Sequence, residues 1–158
     1  MNWDAITGSA EVLGTLAVLI TLFYLARQIR QNTEEIHSTN YHGVTDSFNE
    51  INLALAGNAD LARVFRLGNE AYEKLSEDEQ YQFDFFMHAT FRILDVIKFQ
   101  SQHGTGDTTL WEFEKNSLDT MLAAPGVRKW WRKRPYNFSE DFVNYVENNV
   151  LLKYQDDI

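Results

Sequence analysis

From Ala5 to Ala26 the chain reads AITGSAEVLGTLAVLITLFYLA, 22 residues with one charge, Glu11. As a helix rising about 1.5 Å per residue, this run is roughly 33 Å long, close to the thickness of a bilayer's hydrocarbon layer. The wholly uncharged stretch, Val12 to Ala26, is 15 residues, so a span also needs the residues before it. Val12, Leu13, Leu16, Val18, Leu19, Ile20, Leu22, Phe23 and Leu25 each favour insertion by about 0.3 to 0.6 kcal/mol, roughly 3 to 5 kcal/mol together. A central acid costs about 2.5 to 3.5 kcal/mol, but Glu11 lies nearer the N-terminal end, where a carboxylate reaches the interface more cheaply. The balance favours a transmembrane helix.

Two other structures use such a run. One is the central helix of a soluble bundle, buried by its neighbours. The other is a cleaved signal peptide, which the charges oppose: signal peptides begin with positive residues, whereas Asp4 precedes this run and Arg27 and Arg30 follow it. No convincing small-residue cleavage site comes after it either. Positive residues flanking a span stay cytoplasmic, so Arg27 and Arg30 predict an N-terminus outside and a cytosolic C-terminal part. The expected division is 1–37, a transmembrane helix with a polar extension, and 38–158, a cytosolic helical domain.

Thr7, Ala10, Gly14, Ala17, Thr21, Tyr24 and Gln28 recur at alternating spacings of three and four. That 3.5-residue period is the seam of a left-handed helix pair. Most of these side chains are small, and in lipid small residues let backbones approach closely. The seam Thr7, Ala10, Gly14, Ala17 and Thr21 therefore predicts a homo-oligomer, although small residues are common in spans generally. Glu11 has two readings. It snorkels to the outer interface, or it forms a ring of acids in an oligomeric, cation-selective pore.

Beyond the span, aromatic residues at 14% argue against disorder. The absence of cysteine excludes disulfides and thiolate chemistry. A net charge of −9 disfavours nucleic acid, whose phosphates require a basic face. Helical spacing puts Val44, Phe48, Ile51 and Leu55 in one stripe. Gly57 reads as the stop, and Asn58 or Asp60 as the next N-cap. A short helix carrying Leu61, Val64 and Phe65 is expected to end at Gly68-Asn69. Ser76-x-x-Glu79 is a capping box that opens a long aromatic helix ending before Gly104. Leu110 to Ala123 predicts a further helix, broken by Pro125-Gly126. A short helix through Trp130 and Trp131 should stop at Pro135, and Ser139 should cap a last one. The expectation is an all-α fold, a transmembrane helix followed by a helical bundle.

Two stretches carry a resemblance. Gly14 to Thr33, GTLAVLITLFYLARQIRQNT, is an apolar span running into Q-I-R-Q-N-T. Ala124 to Glu140, APGVRKWWRKRPYNFSE, has a P-G-V-R-x-W-W core. In these, about a quarter of the chain, it resembles a family of small bacterial membrane-anchored proteins of uncharacterised activity. The resemblance implies bacterial origin, a helical fold and an anchor in the cytoplasmic membrane. It supplies no activity.

Chemical signatures are sparse. His42, Asp46 and Glu50 follow at four-residue steps, as do Asp84 and His88, and Glu34-x-x-His37 is half of a di-iron pattern whose partner is missing. Acids are abundant enough to give such spacings by chance, so no metal or cofactor is expected. No phosphate loop or nucleophile elbow is present, and no enzyme is expected. VRKWWRKR, residues 127–134, has two readings. Arg128, Lys129, Trp130, Trp131, Arg132 and Lys133 could touch an anionic membrane surface. Alternatively the tryptophans fill the domain's own core while the cations face water or acids, which the shortness of the segment favours. The leading functional expectation is a membrane-anchored, self-associating interaction or scaffold protein. A pore or transport protein using Glu11 comes second, and a metal-dependent helical enzyme third.

Overall fold

The computed structural model describes residues 3–134 and 137–157, with the side chains of 3–7, 9–10 and 155–157 outside the description. The fold is all-α, with no strand among the described residues. Helix α1 runs Trp3–Gly57, α2 Ala59–Ala71, α3 Glu77–Gln102, α4 Thr108–Leu122, α5 Pro125–Trp131 and α6 Glu140–Tyr145. Compactness divides the chain after Ser38 into an N-terminal unit, 1–38, and a C-terminal unit, 39–158.

Local chemistry sets most of the helix boundaries. No proline occurs before Pro125, so nothing in α1 removes a backbone donor. The Asn58 side chain accepts the Leu61 N–H at 3.0 Å and starts α2. Ahead of α3, the Ser76 N–H donates to Glu79 Oε2 at 2.8 Å, and the Glu79 N–H to Ser76 Oγ at 3.4 Å. This is the reciprocal box that the sequence announces. Gly104, at φ +65°, takes the left-handed position past α3. Asp107 caps α4 through the Thr109 N–H at 2.8 Å, so α4 begins two residues earlier than apolar spacing suggests. Ser139 caps α6. Beyond Tyr145 the last helix changes gauge. A wide turn, Val146–Val150, and then a tighter stretch, Leu151–Asp157, kinked at Tyr154, replace a regular helix.

Within the C-terminal unit, α3 is the central element. It buries Phe83, Met87, Phe91, Leu94 and Ile97. The Phe91 ring lies 5.1 Å from Trp130, 5.4 Å from Trp131 and 6.4 Å from Phe142, and Trp131 stacks on Phe138 at 5.2 Å. Aromatic pairs at such distances add about 0.5 to 1.5 kcal/mol beyond burial of area. Of the α1 stripe, Val44 is buried and Phe48, Ile51 and Leu55 are half-buried.

The expectation that Gly68-Asn69 ends α2 is corrected, since the helix continues to Ala71 with Gly68 buried inside it. A Cβ on Gly68 would stand 2.3 Å from the Phe83 ring. One on Gly126 would stand 1.8 Å from the Gly68 carbonyl oxygen. The two glycines are therefore spacers where α2, α3 and α5 meet. Pro125 does interrupt the chain after α4, but it also starts α5, because the first helical position needs no N–H donor. The α5 helix ends at Trp131. Pro135, the expected stop, lies outside the described residues.

The cap of α3 also carries a pH dependence. The Arg63 guanidinium and the Ser76 N–H hold the Glu79 carboxyl below the usual glutamate range. Such a group adds stability above its unfolded-state value, and that stability is lost as pH falls through the folded one. Glu79→Gln should therefore reduce stability near neutral pH and flatten the acid limb of the stability profile. Chemical denaturation of both proteins from pH 7 to pH 3 checks this.

Candidate functional site

The N-terminal unit contains the most unusual surface. From Val12 to Ile29, every large apolar side chain of α1 is exposed, from 45% at Leu25 to 74% at Phe23. Residues 18, 19, 20, 22 and 23 point in successive directions, so the apolar surface surrounds the helix instead of forming one stripe. A soluble helix shows one apolar face to a core, whereas this segment buries none of its apolar window. Among the described residues, one helix is long and apolar enough to cross a membrane, and it is this one.

Its few polar groups are handled locally. The Thr15 hydroxyl donates to the Glu11 carbonyl and the Thr21 hydroxyl to the Ala17 carbonyl, both at 2.8 Å. Neither hydroxyl needs water as an acceptor, which lowers its cost in an apolar medium. Glu11 is exposed. Arg27 and Arg30 are exposed past the apolar run, and Arg30 Nε reaches Glu34 Oε1 at 3.0 Å. On the expected seam, Gly14, Ala17 and Thr21 are exposed, and a Cβ on Gly14 would meet nothing within 4 Å. The side chains of Thr7 and Ala10 lie outside the described residues.

The basic tryptophan segment is placed differently from a lipid contact. Trp130 and Trp131 are fully buried, at 0% exposure, and Arg128 is buried with them. The reading in which these three touch a membrane surface is corrected: all three are buried within the C-terminal unit. Burial requires each indole N–H to find an acceptor. Trp130 donates to Asp84 Oδ1 at 2.6 Å, and Trp131 to Glu147 Oε1 at 2.8 Å. Arg128 donates to the Leu122 and Ala123 carbonyls, at 3.0 and 2.6 Å, where α4 ends. A cation there satisfies orphan acceptors and opposes the negative end of the helix dipole. Lys129, Arg132 and Lys133 remain exposed, with Lys129 Nζ 3.0 Å from Glu73 Oε2.

The histidine–carboxylate pairs are not assembled into a centre. His42, Asp46 and Glu50 are exposed. Asp84 receives Arg134 Nε at 3.0 Å as well as Trp130, while His88 packs against Phe138 at 5.3 Å. No group of three or more potential ligands converges among the described residues.

Sequence reasoning missed two polar anchors in the core. Asp95, 4% exposed, accepts the Ser139 N–H at 3.1 Å and the Arg92 guanidinium at 2.9 Å. It thereby ties the cap of α6 to the middle of α3. Lys98, 8% exposed, places its ammonium 5.7 Å from Trp111 and 5.6 Å from Tyr145. The only sequence signal was a charge on the buried side of an apolar helix.

No protein-family model, curated protein or solved structure matches the chain.

Proposed function

We propose that the chain is a bacterial cytoplasmic-membrane protein, anchored by a single span within Ala5 to Ala26, that acts as a non-enzymatic, self-associating interaction module. The observation that carries this reading is the exposure of apolar side chains all around α1 from Val12 to Ile29. Contiguous apolar surface beyond a few hundred Å² is rarely left in water and marks a membrane or partner contact. A contact on every side favours lipid over a single docking partner. Arg27 and Arg30 orient the span with its N-terminus outside and the C-terminal unit in the cytosol. The resemblance carried by Q-I-R-Q-N-T and P-G-V-R-x-W-W is consistent with this.

Self-association rests on the small seam. Little apolar driving force acts between helices in lipid, so close backbone approach matters more. Gly14→Leu keeps the span apolar and places bulk on the seam, whereas Leu19→Ala, off the seam, is the control. Light scattering in detergent should show a smaller assembly for Gly14→Leu and the parent's assembly for Leu19→Ala. Parent-sized assemblies for both would remove the seam from the proposal. Orientation is tested by a C-terminal reporter active only in the cytosol, which should work, whereas one that requires export should not.

A further inference from the structure

Residues 39–57 of α1 belong to the C-terminal unit but are lightly held there. Val44 is their one buried residue, at 6% exposure. The much shorter α5, by contrast, buries Val127, Arg128, Trp130 and Trp131. Phe48 is half-buried and packs against the core, whereas Ile51 and Leu55 are half-buried without packing against it. Polar ties are few as well. Asn40 Nδ2 donates to the Thr105 carbonyl at 2.6 Å, near the start of the segment. From Tyr41 to Gly57, no ion pair or side-chain hydrogen bond reaches another element among the described residues. Thr45 and Ser47 donate to the Tyr41 and Gly43 carbonyls of their own helix, at 2.9 and 2.8 Å.

Grooves open on both sides of Val44, which lines each of them. One, of about 420 Å³, lies between α1 and α3 and includes Ile93 and Val96. The other, of about 770 Å³, lies between α1 and α4 and includes Leu110 and Phe113. The segment therefore rests on the α3–α4 face along a line of contact, with space to either side. At its far end a single residue separates it from α2: Asn58, at φ −134° and ψ 102°, is extended and breaks the helix. Gly57, just before it, is exposed, and a Cβ there would meet nothing within 4 Å. No side-chain packing braces this joint, and a few element-terminal residues of this kind can absorb a hinge motion.

Elements with few buried apolar contacts open at the least cost in free energy. We propose that residues 39–57 form a strap that lifts off the α3–α4 face about Gly57–Asn58 while α2 to α6 stay folded. Docked, the strap divides that face into two grooves. Lifted, it joins them into one apolar face carrying Ile93, Val96, Leu110 and Phe113. Phe113 is 70% exposed even beside the docked strap.

The chain has no cysteine, so one introduced thiol reports on one site. Full-length protein in detergent carries Val44→Cys or, as comparators outside the strap, Val64→Cys or Val146→Cys, at positions 1% and 0% exposed. All three make the same small change at a buried valine, and one comparator suffices if the other fails to fold. Labelling by a thiol reagent is followed across urea concentrations too low to unfold the protein, because the urea slope scales with the surface that opening exposes. A lifting strap should make Val44→Cys label about a hundredfold or more faster than either comparator, with a shallower urea slope. Adding Phe48→Ala removes the second contact with the core. It should speed labelling of Val44→Cys about tenfold and leave the comparators within about twofold. Labelling of Val44→Cys as slow as the comparators, with the same slope, would overturn the strap, since the segment would then open only with the whole unit. Fast labelling that Phe48→Ala leaves unchanged would overturn it too, because the reagent would reach the thiol without any lifting. So would an equal acceleration of Val44→Cys and the comparators.

Discussion

Trp130→Ala should destabilise the C-terminal unit by about 3 to 5 kcal/mol, the usual cost of emptying a large buried aromatic site. Trp130 is fully buried against Phe91, and the substitution also takes from Asp84 a donor at 2.6 Å. Arg134 would still hold the carboxylate, so the loss should stay within that range and not exceed it. Trp130→Phe retains most of the volume but not the N–H, and should cost less. Equilibrium denaturation of the detergent-solubilised protein, followed by near-ultraviolet circular dichroism, separates the three proteins. A cost below about 1 kcal/mol for Trp130→Ala, typical of an exposed position, would return the tryptophans to the surface.

Gly126→Ala should be as damaging for the opposite reason. A new methyl group would stand 1.8 Å from the Gly68 carbonyl oxygen, and no rotamer change moves a backbone atom. Either α5 shifts away from α2, or the contact that seats Trp130 and Trp131 is lost. Overpacking commonly costs about 1 to 3 kcal/mol, and more where backbone must move. The expected loss is therefore about 3 kcal/mol or above. Gly14→Ala, where a Cβ meets nothing within 4 Å, should leave the C-terminal unit's stability unchanged. Thermal unfolding of both variants against the parent measures the contrast. Equal melting temperatures would mean that α2 and α5 do not approach this closely.

These two sites show what was legible before the structure and what was not. Caps depend on residues three apart, so Ser76 and Ser139 announced their helices directly, while α2 had two candidates, Asn58 and Asp60, of which Asn58 is the cap. The apolar run of α1 was equally plain, because its length and lack of charge are local properties. Gly68 was misread as a helix stop because its real role depends on Gly126 and Phe83, which are brought to it only by folding. The same distance in sequence hid the polar anchors. Asp84 meets Trp130 and Arg134 about 50 residues away, and Asp95 meets Ser139 across a similar gap. Nothing in the spacing of VRKWWRKR decides which side of its helix faces inward. The fully buried tryptophans answer that, and leave Lys129, Arg132 and Lys133 on the outside.

Membrane anchorage by α1 is tested most directly by extraction. Membranes carrying the full-length protein are washed with high salt, then with alkaline carbonate, then with detergent. A single apolar span should keep the protein in the pellet through salt and carbonate and release it only into detergent. Release by salt alone would contradict the anchor, and would mean that the apolar side chains between Val12 and Ile29 are covered by protein.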